Sequence, residues 1–242
     1  MTAGPAHEHP IDDPADRGQA TGGRPRRRLT AVLVAVIALG LLVAGGALAV
    51  GLGIGRSETP TAESVDAGFS RDMSRHHLQA VEMADLAATR STDPEVLRLA
   101  FDIASTQTNQ VGRMQGWLTL WGLPLTSGEV MTWMDSGDMS GMDHMDDAAS
   151  EAADGAVMPG MATEAELTEL GSLSGRPFDV LFLQLMIRHH EGGVEMAQYG
   201  AEHAAEDAVR RLAASIVTAQ SAETATMTDM LTARGGTPLP AP

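Results

Sequence analysis

The chain contains a duplication, and this feature narrows its fold more than any other. Sliding the sequence against itself by 113 positions puts His76-His77 on His189-His190. Without a gap, the same shift pairs Phe69 with Phe182, Met73 with Met186, Arg75 with Arg188 and Val81-Glu82-Met83-Ala84 with Val194-Glu195-Met196-Ala197. It also pairs Arg98-Leu99-Ala100 with Arg211-Leu212-Ala213, Ile103 with Ile216, Gln107 with Gln220, Met114 with Met227 and Gly122 with Gly235. Between 69–122 and 182–235, 20 of 54 positions are identical. A unit this long, present only twice, is too long for a solenoid repeat and fits a duplicated pair of helices.

The apolar period inside each copy is helical. Phe69, Met73, His76, His77, Ala80, Met83 and Ala84 follow i, i+3, i+4 and i+7 spacing and share one stripe. Thr92-Asp93-Pro94-Glu95 reads as a turn with a capping side chain and Pro at the first helical position. A second helix then runs through Val96, Leu99, Ile103, Gln107, Met114 and Leu118 to a stop at Gly122-Leu123-Pro124. The second copy starts after Gly175-Arg176-Pro177, turns between His203 and Asp207, and ends at Gly235-Gly236. The expected fold is therefore all-α: an antiparallel four-helix bundle from hairpins at 64–122 and 177–235, joined by a linker over 123–162. Thr163-Glu164-Ala165-Glu166 fits a capping box and marks a short extra helix.

Ahead of the duplication, Leu29–Gly55 is a run of 27 residues without a charge, preceded by Arg24, Arg26, Arg27 and Arg28 and followed by Arg56. As a helix it reaches about 40 Å at about 1.5 Å per residue, more than a bilayer core requires. The Arg cluster keeps the N-terminus inside and sends residues 57–242 outside. Ala47-Leu48-Ala49 resembles a signal-cleavage site, but signal cores run only about 7 to 15 apolar residues, so an uncleaved single-pass anchor over 29–55 is the expectation. Residues 1–28, without an apolar period, read as a disordered cytoplasmic tail.

Residues 57–242 hold 28 acids against ten Arg and no Lys, which keeps this part soluble, gathers cations and opposes nucleic acid. With no Cys among 242 residues, disulfides, thiolate metal sites and thiol nucleophiles are excluded. All 15 sulfurs are thioethers of Met.

Those thioethers sit beside imidazoles. On a helix, Met73 with His76 and His77, and Met186 with His189 and His190, stand one turn apart on one side, and Met83 and Met196 lie two turns beyond. Imidazole suits several transition metals; thioether adds a preference for soft Cu(I) and, by the same softness, Ag(I). Met114 and Met227 are weaker members of the set. The linker holds Met131, Met134, Met139, Met142, Met145, Met158 and Met161 among Asp residues and His144, which reads as a low-affinity capture arm in which Met139, Met142, His144 and Met145 are ligands. Di-iron bundles use Glu-x-x-His. Here Met73, Ser74, Met186 and Ile187 stand three before the histidines, so iron oxidase chemistry is not expected. No Ser-His-Asp order, Walker loop or dinucleotide fingerprint occurs, and no enzyme activity is expected. The competing reading of the histidines is ordinary packing and hydrogen bonding in the bundle core.

Phe69-x-x-x-Met73-x-x-His76-His77-x-x-Ala80-x-x-Met83-Ala84, with Gln107, Met114, Trp117-Leu118 and Gly122, resembles the domain of unknown function 305, a ferritin-like helical family. The resemblance covers about residues 64–236. It implies a ferritin-like bundle, a secreted or membrane-anchored setting, and a copper or silver link to copper resistance. Gly193 in place of Ala80, Met230 and Arg234 in place of Trp117 and Trp121, and the missing turn Pro are departures that bear on whether both halves bind equally. The combined expectation is a membrane-anchored extracytoplasmic bundle that sequesters or transfers copper, with a copper transporter or chaperone as partner. The alternative is a metal-free structural or protein-interaction module at the membrane surface.

Overall fold

The computed structural model describes residues 24–51, 59–134 and 156–240, and the chain divides into two units, residues 1–58 and 59–242. In the first unit a single helix, α1, runs Arg24–Gly51. It begins earlier than the apolar run because Arg26, Arg27 and Arg28 are good helix formers and Pro25 sits in the first turn, where its missing N–H costs nothing. The helix is long and apolar enough to cross a membrane, and its place near the N-terminus is also that of a secretion signal.

In the second unit, α2 (Val65–Arg90) and α3 (Pro94–Trp121) form one hairpin, and α5 (Arg176–His203) and α6 (Asp207–Ala233) form the other. Both turns fall at the same place in the repeat, since Arg90 and Pro94 shift by 113 onto His203 and Asp207. No strand occurs among the described residues, so the all-α expectation holds. Local chemistry sets the ends. Ser64 accepts from Ala67 N–H, Asp93 accepts from Glu95 N–H ahead of Pro94, and Gly122 closes α3 at φ 71°, a left-handed value that glycine adopts without strain. Glu206 makes no capping bond of its own; Asp66 of α2 instead accepts from Ala205 and Glu206 N–H at 3.0 and 2.8 Å, pinning the second turn to the first hairpin.

Between hairpins the backbones approach closely along α2 and α5. The two run antiparallel: Phe69 near the start of α2 meets Gly200 near the end of α5, and Met83 shares an apolar cluster with Met186. A local twofold therefore passes where equivalent residues meet. Small residues allow the approach, since a Cβ at Gly200 would stand 2.7 Å from the Phe69 ring. The short helix α4 (Glu164–Ser172) opens with the expected capping box, and its Glu166 also receives Arg188 of α5 at 2.6 and 2.9 Å.

The linker departs from expectation. Its described parts, 123–134 and 156–162, do not hang free as a capture arm: Met131, Trp133, Met158 and Met161 are buried in the bundle. Polar residues of α2 hold them. Asp72 accepts from Met131 N–H and Trp133 Nε1–H, both at 2.7 Å, and Gln79 clamps Ala162 by accepting from its N–H at 2.7 Å and donating to its carbonyl at 2.9 Å. Burial pushes the Asp72 carboxyl up, against the pull of those two donors and of Arg71 and Arg75. Thioethers beside aromatic rings and aliphatic chains gain more from packing than from water, so the three methionines are core together with Trp133. Met139, Met142, His144 and Met145 lie outside the described residues, as does the tail over 1–23.

Candidate metal centre

The local twofold falls on the histidines. His76 of α2 and His189 of α5 stack across it, ring centroids 3.8 Å apart with planes inclined 38°. Their doublet partners lie outward, His77 at 6.4 Å from His76 and His190 at 6.3 Å from His189. All four rings are fully buried. A lone buried histidine is a common core residue; four in one layer at the junction of two hairpins need a shared reason.

Their hydrogen bonds define which nitrogen carries the proton. His76 Nε2 lies 3.1 Å from the Pro159 carbonyl, and His190 Nε2 lies 2.8 Å from Glu223 Oε2. A carbonyl and a carboxylate only accept, so both rings carry N–H at Nε2. His77 Nε2 lies 2.7 Å from Gln110 Oε1 and, with the amide as placed, donates likewise. Each of these rings then holds a bare lone pair at Nδ1, and none of the three Nδ1 atoms has a partner. Neither ring nitrogen of His189 makes a well-formed hydrogen bond. A buried polar atom left unpaired costs about 1–3 kcal/mol, so the layer is under-satisfied as neutral imidazole. Protons do not supply the remedy. Burial lowers the His76 pKa to about 4 and the His77 pKa to about 3, the latter helped by His76, and burial together with His76, His190 and His77 holds His189 well below its ordinary value.

The methionines fall into two sets by the same symmetry. Met73, Met114 and Met196 belong to one apolar cluster, and Met83, Met186 and Met227 to the other, all without solvent exposure. The 113-residue shift carries each set onto the other. Along α2 the histidines lie between Met73 and Met83, and along α5 between Met186 and Met196. Met114 and Met227 are thus full members of their sets. The recurring Glu82 and Glu195 are exposed. Among the described residues, no three His, Asp or Glu side chains converge as a cage for a metal ion. Imidazole suits several transition metals, and the buried thioethers that flank each doublet along its helix add a preference for a soft ion.

Gln110, Glu223 and Gln220 border the histidines, and Gln107 is the counterpart of Gln220 in the first copy. Gln110 and Glu223 are equivalent under the shift but not identical, so the repeat identities do not mark them. Gln107 and Gln220 are identical, and a polar pair inside an apolar stripe was the available signal; both amides are buried with N and O unpartnered. Gln220 reaches the histidines, since a Cβ at Gly193 would meet its Oε1 at 2.6 Å and His76 Cε1 at 3.0 Å. Gly192 has a different neighbour, the Pro159 carbonyl, 2.2 Å from where a Cβ would be. The Gly192-Gly193 pair therefore admits the linker on one side and His76 with Gln220 on the other.

A family model for the domain of unknown function DUF305 matches residues 66–231, which span both histidine doublets. The chain belongs to the DUF305 family. Among solved structures, a DUF305 protein from Streptomyces coelicolor is 45% identical, with TM-score 0.65, covering 74% of this chain and 99% of its own. A DUF305 fragment from Deinococcus radiodurans is 32% identical, with TM-score 0.56, covering 72% and 97%. A more distant fold match is CopM in its Cu(I)-bound form, 24% identical, with TM-score 0.52, covering 71% and 98%. No curated protein matches the sequence.

Proposed function

We propose that this DUF305 protein binds Cu(I), with Ag(I) as a mimic, at the histidine layer between its two methionine sets, and holds the ion for sequestration or transfer without turnover. One observation carries the reading: the buried imidazoles lack hydrogen-bond partners at Nδ1, and thioethers stand on either side of them along both helices. A soft cation accepts those lone pairs and satisfies what the fold leaves open. His76, His77, His189 and His190 with Met73, Met83, Met186, Met196, Met114 and Met227 would hold it. CopM, solved with Cu(I) and with Cu(II), shares the fold, and the metal assignment rests on this chain's own donors. The apolar run of 27 residues exceeds the core of a signal, so we take α1 as an uncleaved anchor that places the acidic domain outside the cell, where its net charge gathers cations.

A competition titration of the full chain in detergent against a chromophoric Cu(I) chelator tests the assignment. Wild type is expected to withdraw copper, and Met73→Leu with Met186→Leu, which preserves core volume, to weaken it about tenfold or more. Failure of the wild type to compete would remove the metal reading. The second reading then stands: His77–Gln110 and His190–Glu223 as polar locks within each hairpin of a metal-free interaction module.

A further inference from the structure

The histidine layer is symmetric in its rings and unsymmetric in what holds them. His77 leans on Gln110, a buried neutral amide, whereas His190 leans on Glu223, a carboxylate whose side chain keeps 25% of its surface in solvent. The neighbouring position differs in the same sense, with Leu78 after the first doublet and Glu191 after the second. A ring that donates its N–H to a carboxylate becomes a stronger electron-pair donor at its other nitrogen, and the carboxylate balances an arriving positive charge. An amide does the first weakly and the second not at all. Glu223 also reaches water, so it joins the buried layer to the surface, a link the first half lacks.

From this we infer that the two halves are unequal toward cations: a soft monovalent ion goes first to the His189–His190 side, and Glu223 is the positioning residue that makes it so. This inference rests on the proposed copper site and adds an order and a residue to it. Glu223 touches no ion itself; it fixes the His190 ring with Nε2–H outward and Nδ1 inward. The reciprocal substitution should therefore move the preference to the other half.

The test uses the full chain in detergent, 15N-labelled at histidine, with Ag(I) as a diamagnetic probe followed by ring-nitrogen shifts, and Cu(I) affinity measured by chelator competition. In wild type the first equivalent of Ag(I) is expected to move the His190 and His189 signals ahead of His77. Glu223→Gln is expected to abolish that order and to weaken the first Cu(I) about 10- to 100-fold, the range seen when a partner behind a ligating histidine is lost. Gln110→Glu combined with Glu223→Gln is expected to bring His77 first, a gain that a merely structural role for Glu223 would not produce. Thermal unfolding of each variant verifies that the fold persists. If wild type binds the ion while His77 and His190 respond together and Glu223→Gln leaves affinity unchanged, the inequality is wrong and the copper site survives. If wild type binds neither ion, the copper site fails and this inference falls with it.

Discussion

The first hairpin is built to be covered and the second to be approached. In the first, Asp72 and Gln79 hold the linker at Met131, Trp133 and Ala162 through four hydrogen bonds. In the second, their equivalents are Leu185 and Gly192, and the linker passes so close that its Pro159 carbonyl occupies the space of a Gly192 side chain. One linker crosses a molecule with a local twofold and can lie on only one side of it. Residues on the axis, His76 with His189, stayed alike; residues under the linker had to diverge. The duplication therefore separates what serves the shared layer from what serves the connection.

Among single substitutions, breaking the contact on the second half should cost most. Gly192→Ala forces a methyl into the backbone carbonyl of Pro159, which has no flexible end to yield, and is expected to cost about 3 kcal/mol by chemical denaturation. Gln79→Ala removes the clamp on Ala162 and leaves its buried N–H and carbonyl unpaired, for about 2 kcal/mol. If Gly192→Ala were as benign as a surface change, the tight crossing would not exist.

Acid should act on the layer itself. His76 and His77 protonate near pH 6.5 when unfolded but only at about 4 and about 3 when folded, so the unfolded chain binds more protons between these values. Their contribution to stability is complete above pH 6.5 and is lost as pH falls toward 4, at about 1.4 kcal/mol per pH unit for each ring. Asp72, Glu191 and Glu195, whose carboxyls are pushed up chiefly by burial, oppose this loss. Denaturation midpoints from pH 7 to pH 4 follow the loss, and a flat profile would contradict the neutral, buried layer. Copper, bound to the same nitrogens, should shift the fall to lower pH.

The smallest effect is expected from the sulfur. Met73→Leu and Met186→Leu conserve volume and are each expected to cost less than about 1.5 kcal/mol in stability while lowering Cu(I) affinity. Sharply different stability costs for these two equivalents would show that the methionine sets do not share one role.

The helices, the duplication, the α4 capping box and the four histidines were legible in the sequence because each rests on local spacing or on identity under one shift. What escaped was whatever depends on contact between distant segments. Met131, Met158 and Met161 look like linker by composition, with Gly, Asp and Pro around them, yet they are core because Asp72, Gln79 and Gly192 receive that chain. Gln110 and Glu223 are hidden for another reason: they differ, so the identity between the copies does not mark them. Asp72 and Gln79, polar and without counterparts in the second copy, were the residues that marked a docked segment.

X-ray absorption at the copper edge of the Cu(I)-loaded full chain bears most directly on the proposed site. Copper held at the duplicated layer gives a shell containing both imidazole nitrogen and thioether sulfur, and the sulfur contribution falls in Met73→Leu with Met186→Leu. A shell of nitrogen and oxygen alone, unchanged by that pair of substitutions, would place the ion elsewhere and contradict the proposed site.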